Sequence, residues 1–389
     1  MIAVPEADAL LAEHAHPLPA PSVPLAEAAG RVLREAVAAD RDVPPYDRVA
    51  MDGIALASAD LGRRRFRVAR TQAAGEPPRP LTEAGACVEI MTGAALPEGC
   101  DTVVRYEDLV MEDDWAALRE GVSVTPGQNV HRRGDDRRAG DPVLSPGSRI
   151  GPAHIAALAA LGKATVRVSA RPRVAVVTTG DEVVPVDTVP LPHQIRQSNG
   201  PALRAALAGR AAVALDHAPD DADALRDRLG AALETADVVL IAGGVSAGRF
   251  DLVPGVLAAL GVREVFHKVR QKPGKPLWFG VAPHAAVFGL PGNPVSALAC
   301  AVRYVVPFLD RAAGLADAPR RVVRLSELPR RKNDFTHFVP VRLDGLDAHP
   351  VPSNGSGDFL SLVASDGVAE VSASVHEPGP VPFVRWGPL

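Results

Sequence analysis

The stretch Ala236-Asp237-Val238-Val239-Leu240-Ile241 constrains this chain more than any other, because it is an apolar run that empties directly into glycines. A short run with several β-branched residues reads as a buried strand. The residues after it, Ala242-Gly243-Gly244-Val245-Ser246-Ala247-Gly248-Arg249-Phe250-Asp251, form a glycine-rich turn, and helical spacing follows over Leu252–Leu260. Glycines after a strand let backbone amides approach a ligand, and a helix start favours an anion.

Two more turns follow. Lys268-Val269-Arg270-Gln271-Lys272-Pro273-Gly274-Lys275-Pro276 carries cations at both ends. Gly289-Leu290-Pro291-Gly292-Asn293-Pro294-Val295-Ser296-Ala297 opens a helix. Asn293 suits its N-cap and Pro294 its first turn, which leaves the amides of Val295 and Ser296 for an oxyanion. Three such turns in succession, with lysines among them, point to a ligand bearing several negative charges.

The surroundings supply the sheet. Val174–Val177 is a strand ending in Thr178-Thr179-Gly180-Asp181-Glu182. A helix over Ala202–Ala208 follows the turn Gln197-Ser198-Asn199-Gly200-Pro201. Val213–His217 and Asp221–Leu233 continue the alternation of strand and helix. This pattern predicts a doubly wound α/β domain with a parallel sheet. Ligands bind beyond the carboxyl ends of such strands, where Glu182 stands. Carboxylates there suit Mg²⁺ bridging phosphates. His217 has no second histidine at ligand spacing and reads as a core residue.

The flanks read differently. Glu6–His14 and Leu25–Ala38 carry helical spacing, and Pro152–Leu161 is a short helix before a strand over Ala164–Val168. Phe66–Arg70, Cys87–Met91, Thr102–Tyr106 and Val122–Val124 read as strands of a small β domain, with Asp113–Glu120 as a surface loop. Val322–Leu325, Phe335–Leu343 and Val368–Val371 predict a C-terminal β domain.

Composition narrows the function. A formal charge of −4 over 389 residues argues against nucleic acid as the main partner. The three cysteines, Cys87, Cys100 and Cys300, lie far apart and suggest neither a disulfide frame nor a zinc site. No apolar run approaches the roughly 18 residues of a membrane span. The expectation is a soluble, cytoplasmic protein that uses neither membrane nor nucleic acid.

The three turns together closely resemble the MoeA family, the molybdopterin molybdenumtransferases that include the gephyrin E domain. MogA-type adenylyltransferases share the glycine and Pro-Gly-Asn-Pro turns. Pro44-Pro45-Tyr46-Asp47-Arg48-Val49-Ala50-Met51-Asp52-Gly53-Ile54-Ala55 decides between them. It is similar to the Pro-Pro-Phe-Asp-Asn-Ser-Ala-Met-Asp-Gly-Tyr-Ala of MoeA proteins, which MogA-type enzymes lack. Arg48, Val49 and Ile54 depart from that pattern. Gly127-Gln128-Asn129-Val130-His131-Arg132-Arg133-Gly134-Asp135-Asp136 resembles another family motif, with His131 in place of its first arginine. Near the C-terminus, Lys332 stands where the family has an arginine, and a lysine lacks the bidentate fork.

The resemblance implies four parts. These are a helical linker and dimerisation domain over 1–40 and 138–170, a small β domain over 41–137, a MogA-like α/β domain over 171–315 and a C-terminal β domain over 316–389. It implies insertion of molybdate into adenylylated molybdopterin with release of AMP, with Mg²⁺ as cofactor. Asp52, Asp136, Glu182 and Asp251 would be catalytic, and Asp52, Glu182 and Asp251 would hold the metal. Thr92, Gly243, Gly244, Ser246, Lys268, Lys272, Lys275, Pro291, Asn293 and Pro294 would bind the pterin substrate. Lys272, Lys275, Ser296, Lys332 and Ser361 would bind molybdate. A homodimer with shared active sites and a MogA-type adenylyltransferase upstream complete the expectation. The alternatives are a catalytically drifted scaffold that binds a partner protein and a MogA-type adenylyltransferase.

Overall fold

The computed structural model describes residues 1–245, 252–317, 319–331 and 333–387. They fall into two compact units. One comprises Met1–Glu35, Pro146–Ile155 and Thr165–Leu389, the other Ala36–Ser145 and Ala156–Ala164.

The larger unit is built on a six-stranded sheet. Its order in space is Ala212–Ala218, Arg173–Thr179, Val238–Ala242, Ala286–Leu290, Trp278–Val281 and Arg263–His267. The first four strands are parallel, as the alternation predicts. Trp278–Val281 runs antiparallel to them, and Arg263–His267 pairs antiparallel with Trp278–Val281 at the edge. The turn from Trp278–Val281 to Ala286–Leu290 is closed by the Ala282 amide on the Ala285 carbonyl, far too short for a parallel crossover.

Alternate side chains of the central strands bury on opposite faces. Val176, Leu240 and Phe288 pack with Leu203, Val305 and Phe308 on one face. Val177, Val239, Ile241 and Val287 pack with Leu225, Leu229 and Leu257 on the other. Helix Ala222–Thr235 starts at Asp221, whose carboxylate accepts from the Asp223 and Ala224 amides at 3.1 and 2.9 Å.

The C-terminal part of this unit is a second six-stranded sheet. Thr336–Asp344 and Gly379–Arg385 both pair with Gly367–Val371, which closes it towards a barrel around Val323, Val341, Val371 and Phe383. The short strand Gln271–Lys272 pairs with its edge at Thr336 and His337.

One expected helix is absent. Leu25–Ala38 contains only a 3-10 turn, Leu25–Glu27. Gly30 then takes φ +77°, Val32 and Leu33 bridge to Arg149 and Val168, and Val37–Ala38 is a strand. Backbone pairing with distant residues outweighs a helical propensity worth only tenths of a kcal/mol per residue. The other predicted N-terminal helix spans Val4–His14.

The smaller unit carries a sheet ordered Thr102–Arg105, Gly53–Leu56, Ala86–Ile90, Arg65–Gln72, Trp115–Leu118 and Leu109–Glu112. Its core includes Ile54, Leu56, Phe66, Val104 and Leu109. Asp113–Glu120 is not a surface loop. Leu109–Glu112 and Trp115–Leu118 form a hairpin about Asp113-Asp114, with Asp113 at φ +43° and Arg65 stacked 4.7 Å over Trp115. Val122–Val124 is not a strand, because the chain turns there with the Val122 amide on the Arg119 carbonyl.

Candidate active site

Two adjoining cavities open at the carboxyl ends of the parallel strands, and both lie within the larger unit. They share Pro276, Pro291 and Asn293 as lining residues.

The first, of about 440 Å³, is lined by the Thr178-Thr179-Gly180 strand end, Glu182, the Arg196–Asn199 turn, Asp220, Gly243 and Gly244, and Pro291–Pro294. Its walls are tied by hydrogen bonds. Gln197 Nε2 donates to Thr178 Oγ1 at 2.7 Å, and Asn199 Nδ2 donates to the Gly292 carbonyl at 2.8 Å. Thr178 Oγ1 also meets His217 Nδ1 at 3.0 Å, so His217 supports this wall rather than standing in an apolar core.

Glycine is required at two points of the rim. Gly243 has φ +113°, and a Cβ there would stand 2.5 Å from Thr179 Oγ1. Gly180 has φ +128°, and the Glu182 carboxylate folds back over it, 2.7 Å from where a Cβ would be. Asp220, which no motif flagged, shares the cavity. Burial and the neighbouring Asp181 and Glu182 charges raise its pKa above the ordinary carboxylate value.

The second cavity, of about 360 Å³, is lined by Gln271–Pro276, Val295, Ser296, Pro340 and the Ser353–Ser356 loop. Lys272 and Lys275 are exposed, whereas Ser296 is 4% exposed. The Lys-Pro-Gly-Lys turn is held from beneath. Buried Gln271 donates to the Gly274 carbonyl at 3.0 Å, and the buried Tyr304 hydroxyl donates to Gln271 Oε1. Asn293 Nδ2 donates to Ser356 Oγ at 2.9 Å, fastening the C-terminal loop to the Pro-Gly-Asn-Pro turn.

Two expected anion donors are already engaged. The Val295 amide donates to the Ser356 carbonyl at 3.2 Å, and the Gly243 amide to the Leu290 carbonyl at 3.2 Å. Asn293 occupies the N-cap of Pro294–Cys300 but makes no side-chain cap bond there.

Asp52 and Thr92 meet within the smaller unit. The Thr92 amide donates to Asp52 Oδ1 at 2.6 Å, and hydrogen bonding from Thr92 holds the Asp52 pKa below its ordinary value. Gly53 must be glycine because the chain passes against the Val104 backbone, where a Cβ would collide with the carbonyl oxygen. Nearby, the Tyr106 hydroxyl donates to Glu89 at 2.7 Å and Thr71 to the same carboxylate at 2.6 Å.

The comparisons with known proteins follow this geometry. Residues 2–162 match the MoeA N-terminal region (domain I and II), 175–311 the probable molybdopterin binding domain and 322–379 the MoeA C-terminal region (domain IV). A molybdopterin molybdenumtransferase of Synechocystis is 38% identical over 371 residues, covering 92% of this chain and 93% of its own. This chain belongs to the MoeA family. A molybdopterin molybdenumtransferase of Staphylococcus aureus is 32% identical over 376 residues, covering 93% of this chain and 89% of its own. The MoeA protein of Pyrococcus horikoshii has a solved structure that aligns over all of both chains, with a TM-score of 0.80 and 30% identity.

Nine residues expected in the MoeA-type site line the two cavities in one unit: Glu182, Gly243, Gly244, Lys272, Lys275, Pro291, Asn293, Pro294 and Ser296. Lys268 and Ser361 line neither. Lys268 sits at φ +70° with its amide on the Leu277 carbonyl. The Ser361 hydroxyl donates to the Asp358 carbonyl at 2.7 Å at the start of the 3-10 turn Phe359–Ala364. Ser246, Asp251 and Lys332 lie outside the described residues. Ser353 and Ser356 line the second cavity, and the Ser-Asn-Gly-Ser-Gly loop containing them was the available signal.

Proposed function

We propose that this MoeA-family chain is a molybdopterin molybdenumtransferase that inserts molybdate into adenylylated molybdopterin with release of AMP. The adjoining of the two cavities carries this reading. One offers glycines and carboxylates to a phosphorylated ligand, the other lysines and serines to an oxyanion, and Pro276, Pro291 and Asn293 form their common wall.

In this reading Lys272 and Lys275 neutralise molybdate, and the Ser296 and Ser356 hydroxyls orient its oxygens. The pterin phosphates lie along Gly243, Gly244 and Pro291–Pro294. Glu182 and Asp220 are an oxygen-only pair whose mutual repulsion a hard cation relieves, so they fit Mg²⁺ held jointly with substrate phosphates. Magnesium would supply charge neutralisation at the phosphoanhydride. The Asp52 carboxylate, kept ionised by Thr92, orients groups at the reacting phosphate, with Asp136 as a further catalytic carboxylate. Asp251 and Ser246 belong to the same assignment, as do Lys268, Lys332 and Ser361.

Asp52 and the cavities belong to different compact units. We assign the active enzyme as a homodimer sharing sites across subunits, acting in the cytoplasm after a MogA-type adenylyltransferase. No helix among the described residues is long and apolar enough to cross a membrane. We divide the chain into four parts, 1–40 with 138–170, 41–137, 171–315 and 316–389; the limits of the matched family regions at residues 162, 175, 311 and 322 lie near two of these divisions, those at 170 and 315.

The molybdate dependence of AMP release tests the assignment of the second cavity. Lys272→Ala raises the molybdate concentration needed for half-maximal release about tenfold or more, the loss of one charge-assisted contact. An unchanged molybdate requirement would remove Lys272 from the oxyanion site.

A further inference from the structure

Away from both cavities, four arginines line one cleft that holds a single aspartate. Arg31, Arg149, Arg171 and Arg210 line a cleft with Asp310 and Ser169. Asp310 accepts from Arg149 Nη2 at 2.5 Å and from Arg210 Nε at 3.0 Å. Arg31 spends its Nε on the Ser169 carbonyl at 3.0 Å. Arg171 has no ion-pair partner among the described residues and is exposed. Burial and the facing Arg171 charge both depress the Arg31 pKa, and Glu27 is the acidic residue that opposes them. Four guanidiniums thus face two carboxylates, one of them already shared between two arginines.

We propose that this arginine cleft binds a phosphate-class oxyanion. A guanidinium presents a rigid fork of N–H donors matched to phosphate oxygens. The forks are held in place before the ligand arrives, by the Ser169 carbonyl on Arg31 and by Asp310 on Arg149 and Arg210. The interior has room for about one water, about 10 Å³, so the anion sits at the mouth, against Arg171 and the outer edge of Arg31. Its charge offsets the repulsion between those two side chains. The site stands on residues that the proposed transferase reaction does not use.

Calorimetric titration with inorganic phosphate at fixed ionic strength tests it, in full-length protein carrying Lys272→Ala and Lys275→Ala. That background removes the cavity lysines, so failure of the molybdate assignment and failure of this one give different results. Phosphate binding survives in the background, chloride does not compete, and Arg171→Gln weakens it about tenfold or more. Because Arg171 holds no ion-pair partner and repels Arg31, Arg171→Gln does not lower the ligand-free melting temperature. AMP added as competitor separates the sources: displacement through Arg171 assigns a nucleotide phosphate, and no displacement assigns free phosphate. Phosphate binding that vanishes with the two lysines, or that Arg171→Gln and Arg31→Gln leave intact, overturns the proposal.

Discussion

Arg48 and His131 face each other across a two-stranded pairing, with Arg48 Nη2 3.0 Å from His131 Nδ1. His131 Nε2 lies 3.1 Å from Asp136 Oδ1. A guanidinium only donates, so Nδ1 accepts and Nε2–H donates to the carboxylate. Both residues depart from the MoeA pattern, which carries asparagine and arginine there. The two departures touch across the strand pair. His131→Arg alone sets two guanidiniums together and costs about 0.5 kcal/mol, and adding Arg48→Asn recovers it. A double-mutant cycle in urea measures this, and additive effects would mean that the two positions are uncoupled.

Tyr304→Phe leaves Gln271 Oε1 buried without its hydroxyl donor. The expected loss is about 1–3 kcal/mol of unfolding free energy, measured by denaturant titration. The looser Lys272–Lys275 turn also raises the molybdate requirement. Equal stability and equal molybdate dependence would deny Gln271 its role in holding that turn.

Asp8 and Glu370 clamp Arg303, which is 2% exposed. Burial pushes the Asp8 pKa up, but the Arg303 and Arg320 charges and hydrogen bonds outweigh it and hold the group below its ordinary value. A carboxylate depressed in the folded state stabilises above its unfolded pKa, near 3.8, and that contribution fades as pH falls through the folded value. Asp8→Asn therefore lowers the melting temperature at pH 7, by an amount equivalent to about 3 kcal/mol. It also flattens the acid limb of a melting-temperature profile below about pH 4. A parallel shift at every pH would disprove the linkage.

Burial pushes the Cys87, Cys100 and Cys300 thiols up to about 12. The native protein should leave all three unmodified by a thiol-specific disulfide reagent at pH 8, with three equivalents reacting in denaturant. Fast labelling of the native protein would contradict this.

Much of the sheet domain was legible because its signals are local. Val238–Ala242 is apolar on both faces, and Asp221 caps its helix through its own side chain. The Leu25–Ala38 segment was not, because Val32 and Leu33 are committed by pairing with Arg149 and Val168, far along the chain. Asp113–Glu120 hid a hairpin behind charged residues, since only Ala116 is buried on its second strand and Trp115 faces outward. The glycine, proline and lysine turns of the site are short motifs and could be read directly. Asp220 could not, because it enters its cavity through the path of its loop. Nor did spacing disclose that the Val295 amide is taken by Ser356.

The most direct test of the central claim is AMP release from adenylylated molybdopterin by purified protein with Mg²⁺ and molybdate, beside Asp52→Ala. Molybdate-dependent release by the wild type, with a rate at least about a hundredfold lower in the variant, is the predicted result. A wild type that dimerises but releases no AMP would contradict the transferase assignment.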